Sequence, residues 1–501
     1  MGTGEEYDID QLCEEDIATF WPLEQAAPDA AGESSSARHE LLLAYGDKLL
    51  VNPRLSRNVV SFQANKGQPV FRWFKYKEGF SHILVRWLLR ALKTNGRGRR
   101  RVLDPFCGAG TTVLTATQEG CDATGIELLP VAQEIVKAGL AARRASARSL
   151  KYHIAKLTDL DLGTGNNGTF EFPHLRITRG AFPPPTEEAM AAYLHYLEKV
   201  DNADTRYMLW FACLCCLEEV SFTRKDGQYL RWDSRAPRDL RSCFNKGHIP
   251  DFRTAILNKL QTITHDIATL QQHYCGNAHA NIIHGTCLEQ LPLLDDESFE
   301  LVITSPPYCN RYDYTRTYAL ELAFLGCSEK QVRDLRQTLL SATVENKSKR
   351  EGLRKYFASI RAESRFAAAE EAYDNQRALQ EVLGRLYDAK ADGALNNANI
   401  PDMVANYFFE MNIVVRELAR VLAPGGSIAM INDNVRYHGE EVPVDLILSD
   451  FASSAGLEVE KIWVLPRGKG NSSQQMGIHG RQELRKCVYI WTKPSAGRSG
   501  R

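Results

Sequence analysis

Seven short apolar runs, most of them separated by helix-like segments, constrain the fold of this chain more than any other feature. They lie at 101–106, 122–127 (DATGIE), 281–285 (NIIHG), 299–304 (FELVIT), 426–432 (GSIAMIN), 457–465 (LEVEKIWVL) and 484–492 (LRKCVYIWT). Strands alternating with helices build a mostly parallel sheet covered on both faces. Expected helices include 129–143 and 408–422, the second closed by the stop signal APGG. The last two runs are joined by a loop alone, so the seventh strand should enter antiparallel. The expected architecture is α/β: a doubly wound, seven-stranded, mostly parallel sheet.

Two long stretches interrupt this pattern, and the domain plan follows from them. Residues 1–40 read as a flexible acidic lead-in and 41–143 as the first part of the sheet domain. A helical insertion fills 144–280, and 281–324 return to the sheet. A second helical insertion occupies 325–400 and carries the basic segment NKSKREGLRKY; 401–495 complete the domain. The net charge of −1 over 501 residues gives no global basic field, so a polyanionic partner must be met by a local basic face. The twelve cysteines lack a paired-ligand rhythm, and Cys213, Cys215 and Cys216 sit in an apolar helical stretch. They read as free thiols in a reducing cytosol, with no metal site. The acidic N-terminus has no signal-peptide pattern, and no apolar run approaches a membrane span, so a cytoplasmic protein is expected.

The first strand leads into DPFCGAGTTV. Gly108 and Gly110 permit a tight turn that approaches a ligand closely, and Thr111 and Thr112 open the next helix. The second strand ends in Glu127, about 20 residues beyond the glycines, where an acid is placed to accept both hydroxyls of a ribose. Val113 stands where the third glycine of a dinucleotide fingerprint would be, which disfavours NAD. The pattern describes a nucleoside-binding crevice at the carboxyl edge of the sheet.

The fourth strand ends in TSPPYCNRYDYTR, residues 304–316. Proline cannot join a central ladder, so the strand must stop at Ser305 and present a rigid aromatic tip. DPFCGAGTT resembles motif I, and TSPPY motif IV, of the DNA amino-methyltransferases, which use S-adenosylmethionine to methylate exocyclic amines. KYKEGFSHILVRWLL resembles their motif X. The likeness covers roughly 60–143 and 281–492, skipping both insertions.

This resemblance implies cofactor contacts from Phe80 and Ser81, from Asp104, Phe106, Gly108, Gly110, Thr111 and Thr112, and from Glu127. Relatives usually carry Asp after the third strand's glycine; here Thr286 takes that place and is the expected contact to the adenine end. It also implies that Ser305, Pro306, Pro307 and Tyr308 form the catalytic tip. An exocyclic amine is a poor nucleophile because its lone pair is delocalised into the ring. The Ser305 hydroxyl and the Pro306 carbonyl would accept its two N–H hydrogens, and the prolines would aim that carbonyl at the substrate. Tyr308 would offer a ring face to a base extruded from the duplex. No Pro-Cys pair is present, which disfavours C5 methylation of cytosine.

The resemblance implies cytosine N4, because relatives with serine in the first position of the tetrad go more often with that amine, and adenine N6 is the alternative. RNA base methylation and a non-catalytic nucleic-acid-binding relative are the remaining readings. The expected partner is double-stranded DNA, together with a cognate restriction or defence partner. Its contacts are expected from Arg311 and Tyr312 beside the tip, and from Lys347, Lys349 and Arg350 in the second insertion. Asn471, Gln474 and Gln475 in the loop PRGKGNSSQQMGIHGR complete the set. The segment FTRKDGQYLRWDSRAPRDLR, basic with interleaved aromatics, reads equally as a recognition module or a lid.

Overall fold

The FELVIT run forms a strand, Phe299–Thr304, in which Leu301, Val302 and Ile303 are all fully buried. Continuous burial is what a strand covered on both faces requires. Leu301 and Ile303 pack with the helices His82–Ala91 and Thr111–Gln118. Val302, pointing the other way, packs with the helices Ile400–Val421 and Val444–Ser454. The chain is seen in a computed structural model that describes residues 19–20, 36–92, 98–160, 162, 171–226, 229–239, 243–273, 277–466 and 484–495.

The main sheet has nine strands. They are β1 (Thr19–Phe20), β2 (Leu49–Val51), β3 (Arg101–Asp104), β4 (Asp122–Glu127), β5 (Ala280–His284), β6 (Phe299–Thr304), β7 (Leu422–Asp433), β8 (Glu458–Val464) and β9 (Lys486–Thr492). Their order is β1-β2-β8-β9-β7-β6-β3-β4-β5. All seven expected strands are present, and β9 enters antiparallel between β7 and β8. The two added strands come from the N-terminal region, where β2 joins β8 in parallel and β1 pairs with β2 antiparallel. The run LLV of β2 is too short to show a periodicity.

Strands β3, β4, β5, β6 and β7 run parallel, so their carboxyl ends share one edge. Chain order reverses between β3 and β6, which opens a crevice between their ends. The helix expected at 408–422 starts earlier, at Ile400. APGG does not follow a helix end as a loop but lies inside β7. There the pairing skips from Phe299 with Leu422 to Leu301 with Ser427, so the segment bulges out of the ladder.

The first insertion supplies the helices Ala147–Asp159, Pro184–Glu198, Ala203–Val220 and Phe252–His273 and a hairpin of 223–226 and 229–232. Its core includes Trp73 and Phe74 from the N-terminal part, and Tyr318, Leu320 and Leu322 from just beyond the Ser-Pro-Pro-Tyr segment. The second insertion packs Leu353, Phe357, Phe366, Leu383 and Leu386 into the core beneath the helix Ile400–Val421. The lead-in does not extend as flexible chain to residue 40: Ser36 caps the helix Ala37–Tyr45, and Arg38 is paired with Glu381 at 2.8 Å and Glu440 at 2.9 Å. Among the described residues no helix is long and apolar enough to cross a membrane.

Candidate active site

The turn after β3 is built from glycines and one buried acid. Gly108 has φ +51°, and a Cβ there would lie 3.2 Å from the Tyr76 ring; Gly110 has φ +79°, and its Cβ would lie 2.7 Å from Val136. Asp104 Oδ1 accepts the Phe106 N–H at 3.1 Å and the Thr304 hydroxyl at 2.6 Å, locking this turn to the end of β6. Burial pushes the Asp104 carboxyl up to about 6, and its Oδ2 is buried with no hydrogen-bond partner. Thr112 donates to the Ile303 carbonyl at 3.0 Å, a second tie between the two strands.

Glu127 ends β4 facing the same turn. Its two carboxylate oxygens accept the Gly108 N–H at 2.5 Å and the Leu129 N–H at 2.6 Å. Burial outweighs these hydrogen bonds and pushes the carboxyl up to about 7.

The crevice spans about 750 Å³, counting the space at its open mouth. Of the residues expected at the cofactor, Phe80, Phe106, Gly108, Thr111, Glu127 and Thr286 line it, and from the tip so do Ser305 and Pro307. Ser81, Asp104, Gly110 and Thr112 do not. Ser81 is fully buried and caps the helix His82–Ala91, accepting the Leu84 N–H at 3.1 Å and donating to the Val59 carbonyl. The Asn65 amide holds the Phe80 carbonyl at 2.9 Å and so fixes this entry to the helix.

At the tip the Ser305 hydroxyl lies 3.3 Å from the Tyr308 hydroxyl, to which it donates. Pro306 is buried, and Tyr308 is half-buried outside the crevice wall. Desolvation holds the Tyr308 phenol well above its usual range, so it stays protonated. The chain then passes Arg311, which has φ +66° and donates to Asn396 at 3.4 Å. Tyr312 and Tyr318 both donate to the Glu78 carboxylate, and the Tyr76 ring stacks on Tyr318 at 5.2 Å.

The chain is 44% identical over 478 residues to the type II methyltransferase M.AvaI of Nostoc sp., covering 94% of this chain and 96% of that protein. It is 40% identical over 455 residues to the type II methyltransferase M.BsoBI of Geobacillus stearothermophilus, covering 88% of each. The chain belongs to the type II methyltransferases. No family model matches it. Among solved structures it is similar to the rRNA methyltransferase aviRa of Streptomyces viridochromogenes, over 86% of this chain and 92% of that one. That match has 10% identity and a TM-score of 0.29, too slight to bear on function.

As a type II methyltransferase of this α/β fold, the chain uses S-adenosylmethionine as its methyl donor. The crevice fits that molecule: it offers an acid at the tip of β4, a glycine turn with no room for a Cβ, and apolar walls from Phe106, Leu129 and Leu340.

Sequence reasoning missed Tyr76, Glu78 and Tyr314, which also line the crevice. The available signal was the lone acid inside the aromatic, basic stretch FRWFKYKEGF and the repeated tyrosines of YDYTRTY. Two of the residues expected at DNA are engaged within the fold. Lys349 is paired with the buried Glu410 at 2.9 Å and donates to Ser341 at 2.6 Å. Arg350 is paired with Glu370 at 2.7 Å and lies over the Phe409 ring at 4.8 Å. Both tie the second insertion to the helix Ile400–Val421. Lys347 is exposed, whereas Tyr312 is engaged by Glu78. Asn471, Gln474 and Gln475 lie outside the described residues.

Proposed function

We propose that this type II methyltransferase methylates DNA site-specifically at an exocyclic amine, cytosine N4. The observation that carries this reading is that Ser305 and Pro307, at the carboxyl end of β6, line the same crevice as Glu127 at the end of β4. A nucleoside-binding acid and an amine-binding tip thus face one space.

In this reading Glu127 holds the ribose hydroxyls, Phe80 and Thr111 the methionine end, and Thr286 the adenine end of S-adenosylmethionine. The bound donor supplies an electrophilic methyl group. The Ser305 hydroxyl already donates to Tyr308, which leaves its oxygen lone pairs available to accept an amine hydrogen. The Pro306 carbonyl accepts the second, drawing the lone pair of the amine out of the base ring. Most of the acceleration is positioning, because the tip holds the amine at the mouth of the crevice that holds the donor. The reacting base leaves the duplex stack to reach the tip, with Tyr308 as its stacking surface. Ser in the first position of the tetrad supports cytosine N4 over adenine N6.

The test is expression of the full chain in a methylation-free host, followed by sequencing that distinguishes modified bases. The reading expects N4-methylcytosine in one short sequence. N6-methyladenine in its place would keep the chemistry and change the base. Unmodified DNA from cells holding folded, cofactor-binding protein would overturn the reading.

A further inference from the structure

The crevice is lined by two acids, Glu78 and Glu127, and by the aromatic residues Tyr76, Phe80, Phe106 and Tyr314; among the described residues no lysine, arginine or histidine lines it. Glu127 is engaged at the glycine turn by the Gly108 and Leu129 N–H groups. Glu78 is half-buried, and its two oxygens accept the hydroxyls of Tyr312 and Tyr318, one each. Each carboxylate oxygen carries two lone pairs, so both can still face a cation.

Tyr76 links Glu78 to the glycine turn. Its ring stacks on Tyr318 at 5.2 Å, and a Cβ on Gly108 would lie 3.2 Å from it. Tyr314 links Glu78 to the segment after the tip, its ring meeting that of Tyr312 edge-on at 5.0 Å. Burial first, then Glu127, Tyr314 and Glu78, hold the Tyr76 phenol well above its usual range. Burial, then Glu78, Tyr308 and Glu127, do the same for Tyr314. Both rings therefore stand within the field of both acids. The cations that flank this group are engaged. Lys225 lies over the Tyr318 ring at 4.8 Å, but it is paired with the buried Glu321 at 2.5 Å and lies 3.8 Å from Glu218. Lys77 donates to the Lys225 carbonyl. Neither lysine lines the crevice.

S-adenosylmethionine carries a sulfonium, and transfer passes the methyl group together with that positive charge to the amine. The demethylated product is a neutral thioether. The ammonium and carboxylate of the amino-acid end are common to both molecules and cancel in a comparison of the two. A wall of two acids and aromatic rings, with no basic residue, attracts the cationic sulfur and has no such attraction for the thioether.

We infer that Glu78, with the rings of Tyr76 and Tyr314, reads the charge on the donor's sulfur and so favours S-adenosylmethionine over its demethylated product. The inference rests on the seating of the donor proposed above, which brings its methyl group toward Ser305. The device acts on turnover. Once the methyl group has gone, the attraction that held the donor has gone with it, and the crevice exchanges product for fresh donor.

The test is calorimetry on the full chain with S-adenosylmethionine, with S-adenosylhomocysteine, and with an analogue bearing a protonated amine in place of the sulfonium. Glu78→Gln keeps the size of the side chain and one acceptor oxygen. In that variant donor affinity should fall roughly five- to tenfold relative to product affinity. The amine analogue should follow the donor. Tyr314→Leu should move the same ratio in the same direction by roughly two- to fivefold. Donor and product affinities that fall together in Glu78→Gln would overturn the inference, by making Glu78 a residue that only shapes the crevice. A wild-type ratio in both variants would also overturn it, and would leave the seating of the donor intact so long as Glu127→Gln weakens donor binding. Donor affinity untouched by Glu127→Gln and Glu78→Gln alike would overturn the seating and the inference together.

Discussion

The Glu127 carboxylate accepts the Gly108 N–H at 2.5 Å, so the tip of β4 and the glycine turn after β3 are held by one buried acid. Its folded-state pKa is raised from 4.5 to about 7, chiefly by desolvation. The folded chain therefore binds this proton more tightly than the unfolded chain. The stability it contributes is fully present below about 4.5 and is lost as pH rises through about 7. A ligand that needs the ionised acid shows the opposite trend. Cofactor affinity should rise with pH through about 7, by at most roughly tenfold per unit. Glu127→Gln should flatten that dependence and weaken binding by roughly ten- to a hundredfold. Calorimetry on either side of about pH 7 measures both.

The two adjacent threonines should separate cleanly. Thr112 is buried and donates to Ile303, so Thr112→Val should cost about 0.5–1.5 kcal/mol of stability by removing a buried hydrogen bond. Its effect on cofactor affinity should be small. Thr111 lines the crevice, so Thr111→Val should lower cofactor affinity by roughly two- to tenfold with little loss of stability. Urea denaturation and calorimetry on the two variants check the pair.

Lys349 and Lys347 are two residues apart and should behave as opposites. Removing Lys349 leaves the Glu410 carboxylate buried and unpaired, which should cost about 3–5 kcal/mol. Lys347 is exposed, so Lys347→Ala should change stability by less than about 0.5 kcal/mol. Denaturation midpoints at constant slope report the difference.

Glu78 gathers the hydroxyls of Tyr312 and Tyr318 and so fixes the segment that follows the Ser-Pro-Pro-Tyr tip. Glu78→Ala should slow single-turnover methyl transfer by roughly ten- to a hundredfold, the size of one or two charge-assisted hydrogen bonds. Glu78→Gln keeps one acceptor oxygen and should recover part of that rate. Equal rates in the two variants would show that acceptance of the tyrosine hydrogens does not matter.

Much of this architecture is written locally in the chain. FELVIT followed by two prolines fixes where β6 ends, and Gly108, Gly110 and Glu127 announce the tight turn and strand tip at the crevice through backbone freedom and strand-tip acidity. Other features depend on long-range partners. Lys349 and Arg350 read as a basic surface because the acids that neutralise them, Glu410 and Glu370, lie 61 and 20 residues away in the chain. Ser81 and Thr112 read as ligand contacts because capping and strand-tying use the same hydroxyls as binding. Glu78 escaped notice because its two tyrosines lie 234 and 240 residues further on.

Whether the Ser-Pro-Pro-Tyr tip draws out the lone pair of an exocyclic amine is tested most directly by Ser305→Ala in a single-turnover methyl-transfer assay at saturating cofactor. Ser305 lines the crevice, and its hydroxyl donates to Tyr308. The variant should bind S-adenosylmethionine nearly as wild type and lose most of the chemical rate, because the acceptor it removes strengthens as the amine becomes tetrahedral. Tyr308→Ala should also weaken productive DNA binding, by the 1–3 kcal/mol or so of one base–aromatic stack. A Ser305→Ala enzyme that transfers methyl at the wild-type single-turnover rate would reduce the tetrad to a rigid turn and contradict the mechanism.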